Sequence, residues 1–272
     1  MTHPQALSPF DLLALGFLVA IGVLYAIGTV RLRARGAFQR RFEPIAFGVG
    51  WLALMVSVTP PIDSWALVRF SAHMFQHELM MLVGAPLVTV GRPIPVWLAA
   101  LSKSASARAA ALLQSSTTRA AWNGVTSPIA AWTLHGAAIW VWHLPVLYDA
   151  AVQNEAIHLV QHMMFVGTAV VFWYGMLYGR YGRAGYGAAV FYVFTTAVHT
   201  GILGAIVTFA RTPLYSVYLA PAASHGINAL GDQQVAGLVM WIPAGLVLTT
   251  LGIALFAAWL GEAERRERVG VS

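Results

Sequence analysis

Residues Phe70 to Val90 read FSAHMFQHELMMLVGAPLVTV. At about 1.5 Å of rise per residue, a helix of this length crosses the roughly 30 Å of hydrocarbon in a bilayer. Glu78 is its one acidic or basic side chain other than histidine, and His73 and His77 are separated by about one helical turn. The stretch therefore predicts a membrane-spanning helix with ionisable side chains, which are expensive in lipid and by default functional.

The composition of the whole chain agrees with a membrane location. Of its 272 residues, 58% are hydrophobic and only 10% are charged, whereas soluble domains average about 25% charged residues. So few charges cannot cover a globule of this size with a wetted surface, and a soluble domain is excluded. The chain also has no Cys, which excludes disulfides, iron–sulfur clusters and thiolate metal sites.

Seven apolar segments are separated by charged, Pro-rich or Gly-rich breaks. We predict an all-α fold in which residues 1–272 form a single polytopic domain, a bundle of seven transmembrane helices. The predicted spans are Phe10–Val30, Pro44–Val58, Phe70–Val90, Ser127–Trp142, Glu155–Leu177, Gly187–Ala210 and Gln233–Leu260.

The basic residues predict the orientation of these spans, because Lys and Arg concentrate in cytoplasmic loops. Alternate loops hold 14 of the 16 basic residues on one side and only Arg69 and Arg211 on the other. We expect the N-terminus outside and the C-terminus in the cytoplasm, and no nucleic-acid binding despite the basic pI. The 14 are Arg31, Arg33, Arg35, Arg40, Arg41, Arg92, Lys103, Arg108, Arg119, Arg180, Arg183, Arg265, Arg266 and Arg268.

The predicted cytoplasmic loop at residues 91–126 is rich in Ala and Ser. Its apolar residues would form one side of an interfacial helix, and a flexible linker is the alternative. These residues are Trp97, Leu98, Leu101, Leu112 and Leu113.

Two pairs of His stand four residues apart: His73 with His77, and His158 with His162. Residues i and i+4 share one helix face, so each pair directs two imidazoles at one site. In the predicted topology both pairs lie within the first turns of spans that run inward from the outer face, and so at matching depth. For each His, a hydrogen bond to a neighbouring helix is the alternative.

Four neutral imidazoles without a thiolate suit copper, zinc or iron, and the Irving–Williams order favours copper. We therefore predict that the two pairs ligate a metal. Met81 extends the stripe of His73 and His77 by four more residues, and a thioether ligand would favour Cu(I). Apolar packing is the alternative role for Met81.

Four other residues are candidates for auxiliary ligands or for a second coordination shell. His143 lies at the outer end of the fourth span, His199 within the sixth, and Asp232 where the seventh begins. Glu155 precedes His158 by three residues, so it would either orient that imidazole or cap its helix.

Motifs of soluble-type hydrolases and of phosphate-binding proteins are missing from the sequence, which has no G-x-S-x-G, H-E-x-x-H or phosphate-binding Gly-rich loop. A haem-binding or quinone-linked membrane oxidoreductase stays open, although i,i+4 pairs place both ligands on one side of a metal. A copper transporter stays open too, but the inner halves of the third and fifth spans are largely apolar.

Three groups of residues carry a family resemblance. They are His73–Met81 (HMFQHELMM) with Ala85-Pro86-Leu87 and Gly91-Arg92-Pro93; Trp142-His143-Leu144-Pro145 with Leu147-Tyr148 and His158–Phe165 (HLVQHMMF); and Asp232-Gln233 with Gly237 and Met240-Trp241. The chain from about Phe42 to Trp259 resembles the multi-pass CtaG-type cytochrome c oxidase assembly factors, which serve caa-type oxidase assembly.

The resemblance implies a non-enzymatic role in bacterial respiratory oxidase biogenesis, in the inner membrane, associated with the oxidase's copper centre. The partners it implies are cytochrome c oxidase subunits and other copper chaperones, in contact with membrane lipid. We expect copper, as Cu(I), to be bound and handed over near the outer face, with haem as the alternative cofactor. The expected ligands are His73, His77, His158 and His162.

Overall fold

The computed structural model describes residues 9–37, 39–178 and 185–270, and only the backbone for residues 185, 186 and 262–270. The regular elements of these residues are all helices, which confirms the all-α prediction. Part of the predicted basic side lies outside the described residues, namely Arg180, Arg183 and the side chains of Arg265, Arg266 and Arg268.

Each of the seven predicted spans is occupied by helix. A π-helical segment, Leu79–Gly84, joins α4 to α5, and a short 3₁₀ helix, Ser216–Tyr218, precedes α13. The α-helices of the described residues are α1 (Pro9–Ala34), α2 (Phe42–Ser57), α3 (Ile62–Ala66), α4 (Phe70–Glu78), α5 (Ala85–Val90), α6 (Pro93–Ala100), α7 (Lys103–Gln114), α8 (Ser116–Val125), α9 (Pro128–Trp142), α10 (Pro145–Gln153), α11 (Glu155–Tyr178), α12 (Gly185–Phe209), α13 (Leu219–Ser224) and α14 (Ala229–Gly270).

Length and apolar composition identify the helices that are able to cross a membrane. In the described part of the chain, 4 helices pass this test: α1, α11, α12 and α14. The rod Phe70–Val90 passes the test together with α6, to which it is joined through a 61° bend, and it is a fifth candidate if this bent pair is one span; α2 is a shorter apolar helix. The chain is thus a helical membrane protein, while the count of seven spans and the orientation of the termini stay predictions.

The rod from Phe70 to Val90 is continuous but widened in its middle. In the π-helical segment the N–H of Ala85 donates to the carbonyl of Met80, five residues earlier. Pro86 follows directly, and in a regular α-helix a proline lacks the N–H donor and its ring collides with the carbonyl four residues back. The wider turn accommodates Pro86, and it interrupts the i,i+4 register that begins at His73.

The helices run alternately between two ends of the bundle. One end, which we call the histidine end, contains the starts of α1, α4 and α11 and the ends of α2, α9 and α12. Hydrogen bonds of Ser71 with Asp232, and of Tyr218 with the Ala66 carbonyl, join its segments. At the opposite end, the Arg31 guanidinium donates to the carbonyls that end α6.

Two apolar clusters hold the helices together. The larger joins α4, α9, α11, α12 and α14 through side chains such as Phe70, Phe165 and Val207. The smaller joins α1, α2, α5 and α6 around Phe47. Because the larger cluster lies between α4 and α11, it sets the distance between the two helices that carry the His pairs.

The segment at residues 91–126 is helical rather than a flexible linker. α6 packs against α1, where Trp97 Nε1 donates to the Ile21 carbonyl at 3.0 Å and Val96 lies against Gly28. Trp97 therefore packs in the bundle, whereas Leu112 of α7 is exposed, and the interfacial helix stays a prediction.

α12 and α14 approach each other closely at two glycines, Gly204 and Gly237. A Cβ on Gly237 would lie 2.7 Å from the Gly204 carbonyl oxygen and 2.7 Å from the backbone nitrogen of Thr208. Small residues at such crossings allow the backbones of membrane helices to pack directly. Asp232 lies about one turn before Gly237, so this contact also positions the start of α14.

Substitution Gly237→Ala is expected to lower the free energy of unfolding by about 1–3 kcal/mol, because the added methyl group overpacks the α12–α14 contact. Thermal unfolding in detergent, followed by circular dichroism, measures the change. Gly245→Ala in the same helix is the matched control, since a Cβ there meets nothing within 4 Å. Equal melting temperatures for the two variants would contradict the close packing.

Candidate metal centre

The four paired His side chains meet between α4 and α11, and we call them the four-His cluster. His73 Nε2 lies 3.0 Å from His77 Nε2. Across the helices, the ring centroids of His73 and His158 are 5.1 Å apart, and those of His77 and His162 are 5.2 Å apart. The centroids of His158 and His162 are separated by 4.1 Å. The two pairs, which the sequence places on separate helices, therefore form one group.

The ring nitrogens of this group converge. One nitrogen from each of His73, His158 and His162 lies within 4.8 Å of the other two, and His77 adjoins them through its contact with His73. Two nitrogens bound to one metal at roughly 2.0–2.1 Å stand about 3–4 Å apart. Side-chain rotations that move the ring nitrogens by about 1 Å would thus bring them to the spacing of nitrogens bound to one metal ion.

Tyr218 determines the tautomer of His73. Its hydroxyl lies 3.1 Å from the Ala66 carbonyl oxygen and 2.7 Å from His73 Nδ1. Burial raises the pKa of the Tyr218 phenol above its usual value, so the hydroxyl keeps its proton. Since a carbonyl oxygen only accepts, the Tyr218 proton goes to Ala66 and His73 Nδ1–H donates to the phenol oxygen. His73 Nε2 then carries the lone pair that faces His77.

Several ring nitrogens around the cluster are buried without a hydrogen-bond partner in the described structure. They include Nε2 of His158, Nε2 of His162 and Nδ1 of His77. Each unpaired buried polar atom costs about 1–3 kcal/mol, and native interiors contain few of them. Neutral imidazoles with free lone pairs are ligands for copper, zinc and iron, so the donor set fits a metal ion.

His143 stands beside the cluster. Its Nδ1–H donates to the carbonyl four residues earlier at 2.7 Å, which leaves its buried Nε2 without a partner. The His143 ring centroid lies 5.9 Å from that of Phe165 and 6.1 Å from that of Tyr148, and both of these rings also contact the four-His cluster. His143 is therefore one aromatic ring away from the four predicted ligands.

Asp232 connects the start of α14 to the start of α4. Its carboxylate accepts a hydrogen bond from the backbone N–H of Ser71 at 3.2 Å and another from the Ser71 hydroxyl. A carboxylate at the first N–H groups of a helix caps it and matches the helix dipole. Asp232 therefore has a positioning role, since it holds α4 two residues before His73.

Two predicted auxiliary residues lie in other surroundings. Met81 is buried in the larger apolar cluster, within the π-helical segment that ends the i,i+4 register from His77. His199 Nδ1 accepts a hydrogen bond from Trp140 Nε1 at 3.4 Å, and its ring packs on Trp132, between α9 and α12. These placements favour apolar packing for Met81 and a helix–helix contact for His199.

Glu155 is exposed at the first position of α11. The cap of that helix is Asn154, whose Oδ1 accepts from the N–H groups two and three residues ahead at 3.0 and 3.1 Å. Glu155 is predicted either to orient the His158 imidazole or to cap this helix. The residue that caps the helix is Asn154. The Glu155 side chain lines a pocket together with His158 and His162.

Sequence reasoning missed the tyrosines of the site. Tyr218 and Tyr215 come from the loop between α12 and α14, and Tyr148 comes from α10. The Tyr148 hydroxyl lies 3.4 Å from that of Tyr218, and Tyr215 donates to the His143 carbonyl at 3.0 Å. Tyr148 belongs to a motif that carries the family resemblance. The one signal for Tyr215 and Tyr218 is that they share the predicted outer side with the His pairs, because no local period links them to either pair.

Substitution Tyr218→Phe is expected to free His73 Nδ1 and the Ala66 carbonyl, and to lower the free energy of unfolding by about 1–3 kcal/mol. It should also convert His73 from one tautomer to a mixture, which ¹⁵N chemical shifts of labelled imidazole measure. Tyr148→Phe is the control, since its hydroxyl has only the long contact with Tyr218. A His73 that stays protonated on Nδ1 alone in Tyr218→Phe would contradict the assignment.

Comparisons with known proteins place the chain in a family. Residues 23–262 match the model of the family described as cytochrome c oxidase caa3 assembly factor (Caa3_CtaG). The chain is 21% identical over 266 residues to uncharacterized protein ML1998 of Mycobacterium leprae, and 24% identical over 262 residues to uncharacterized protein Mb0105 of Mycobacterium bovis.

These alignments cover 94% and 93% of this chain but 40% and 39% of the two relatives. The chain thus spans about two fifths of the length of the curated relatives that it matches. No solved structure matches the chain. Because the family match extends over residues 23–262, and so includes the four-His cluster and His143, this chain belongs to the cytochrome c oxidase caa3 assembly factor family.

Proposed function

We propose that this protein assists assembly of the copper centre of cytochrome c oxidase by binding copper at the four-His cluster and handing it to an oxidase subunit. One observation carries the proposal: buried imidazole nitrogens without partners converge from two helices of a chain in an oxidase assembly family. Carrying an ion needs no catalytic group, so the proposed role is non-enzymatic.

The contact between His73 and His77 suggests how the cluster receives an ion. Without a metal, His77 Nε2–H donates to the lone pair on His73 Nε2, at 3.0 Å. To hold a cation with both residues, His77 would have to offer its own Nε2 lone pair, and its proton would move to Nδ1, which is buried without a partner in the described structure. Each imidazole then stays neutral, which avoids burying a second positive charge.

Cu(I) suits these surroundings better than a divalent ion. The described ligands are neutral imidazoles in an apolar interior, and the cost of burying an ion rises with its charge. The same contacts favour an ion over haem, because axial haem ligands stand on opposite faces of a flat macrocycle, whereas His73 and His77 touch each other.

Hand-over to a partner requires a ligand set that is able to open. One nitrogen from each of His73, His158 and His162 lies within 4.8 Å of the other two, so side-chain movement brings them to and from the roughly 3–4 Å spacing of bound ligands. His143 offers a further unpaired nitrogen one ring away. A site of this kind holds its ion without enclosing it, so that an oxidase subunit or another copper chaperone can exchange it.

We further propose that the protein lies in the bacterial inner membrane with seven spans, its N-terminus and its histidine end on the periplasmic side. The alternating direction of the helices supports this arrangement, as does the position of Arg31 at the opposite end. Arg92 lies at that end too, 5.5 Å from the centre of the Tyr178 ring. Basic residues at the end away from the cluster agree with a cytoplasmic location.

The purified protein in detergent is expected to bind Cu(I), and the double substitution His73→Ala with His158→Ala is expected to weaken that binding at least about 100-fold, because it removes one ligand from each helix. Anaerobic competition titrations measure the affinity, and elemental analysis measures the copper content. His225→Ala is the control, because His225 is exposed and lies outside the cluster. Equal copper content in the wild type and the double variant would contradict the site.

In a strain without the gene, the wild type and His225→Ala should restore the copper content of the oxidase, whereas the double variant should not. Full restoration by the double variant would contradict delivery of copper through the cluster.

The absence of Cys makes the orientation testable, because single Cys residues can be introduced without removing any. Ser224→Cys, before α14 at the histidine end, should react in intact cells with a maleimide that does not cross membranes. Ser104→Cys, in α7, should react only after the cells are opened. Labelling of Ser104→Cys in intact cells would contradict the proposed orientation.

A further inference from the structure

Three carboxylates from three separate elements meet at one pocket of the histidine end. Asp11 comes from the first turn of α1, Asp63 from α3 and Glu155 from the start of α11. They line a cavity of about 40 Å³ together with His158 and His162. We call this cavity the acidic pocket. The whole chain has only 10 Asp and Glu residues, and three of them lie at this one small cavity.

The inner wall of the acidic pocket belongs to the four-His cluster. The Nε2 atoms of His158 and His162 are buried and have no hydrogen-bond partner in the described structure. Glu155 is exposed at the surface. The pocket therefore extends from a surface carboxylate to the rings of His158 and His162, and its volume has room for an ion with a water molecule.

Apart from its three carboxylates and two imidazoles, the described lining of the acidic pocket is apolar, as at Ala14 and Val58, and it includes no Lys or Arg. Apolar walls with little dielectric screening focus the field of such charges and raise the local concentration of cations.

Asp63 is held in place from the cluster side. Its Oδ1 accepts a hydrogen bond from Gln76 Nε2 at 3.1 Å, and the same nitrogen donates to the Ser57 carbonyl at 2.6 Å. Gln76 is fully buried and precedes His77 in α4. The carboxylate and the imidazoles are thus positioned by the same helix.

We propose that the acidic pocket is the route by which a metal cation reaches the four-His cluster and leaves it. This inference rests on the proposed function and adds the residues that control access. Carboxylate oxygens bind late transition metals less tightly than imidazoles do, so Asp11, Asp63 and Glu155 attract the cation and release it to His158 and His162. They set the rate of loading, while the imidazoles set the affinity.

The test compares loading rates. Cu(I), supplied as its cationic acetonitrile complex, is mixed anaerobically with the purified full-length protein, and tryptophan fluorescence follows binding in a stopped-flow instrument. In the triple variant Asp11→Asn, Asp63→Asn and Glu155→Gln, the association rate should fall about 10-fold or more and lose its dependence on ionic strength. The copper content at equilibrium should stay that of the wild type.

Asp149→Asn is the control for the chemical change, because it removes one negative charge from a carboxylate that binds Ser216 and does not line the pocket. It should load at the rate of the wild type. Circular dichroism and melting temperature establish that each variant is folded. If the triple variant does not fold, the double variant Asp11→Asn with Glu155→Gln is used, and it should load several-fold more slowly than the wild type.

The outcomes separate this proposal from the proposed function. If copper binding requires the cluster but the carboxamide variants load as fast as the wild type, the pocket is not the route and the cluster still stands. If the variants lose copper content at equilibrium while keeping the wild-type rate, the carboxylates are ligands and the proposal is overturned. If the wild type binds no copper that depends on the four His residues, the proposed function itself fails.

Discussion

The burial of imidazole nitrogens away from water is the constraint on which the arrangement of this protein depends. Transfer of an imidazole into an apolar interior removes its hydrogen bonds to water, and that loss is compensated only if another group takes the lone pair or the proton. For His73 the compensation is visible, because one ring nitrogen is hydrogen-bonded to Tyr218 and the other to His77. For His158 and His162 it is not, since their Nε2 atoms have no partner in the described structure. A bound cation would give these nitrogens the partner that they lack.

The parts of the fold that support the cluster come mostly from connecting segments. The loop between α12 and α14 contributes Tyr218, and the first turn of α14 contributes Asp232, which caps α4 through Ser71. Helices supply the imidazoles and short segments orient them, so small movements at the histidine end would change the spacing of the imidazoles without unpacking the apolar clusters below. Such an arrangement is suited to a protein that must release what it binds.

The two ends of the bundle differ in chemistry. At the histidine end, three carboxylates surround a pocket that reaches the imidazoles. At the opposite end, Arg31 binds the carbonyls that end α6 and Arg92 lies over Tyr178. The difference in charge between the two ends of the bundle thus agrees with the bias that basic residues show along the sequence, and it suits the proposed approach of a cation at the histidine end.

The sequence by itself determined the helical class, the positions of the long helices and the shared face of each His pair, because hydrophobic length and the i,i+4 spacing are local properties of a helix. Local reasoning was incomplete at Met81, where the π-helical segment before Pro86 ends the register that began at His73. It did not reach Tyr218 and Asp11, which lie far from the His pairs along the chain, or Asp63, which lies in the short helix α3 before α4. Only the tertiary structure decided that α4 and α11 face each other and that these residues surround them, because contacts between distant segments depend on packing and leave no periodic signal in the sequence.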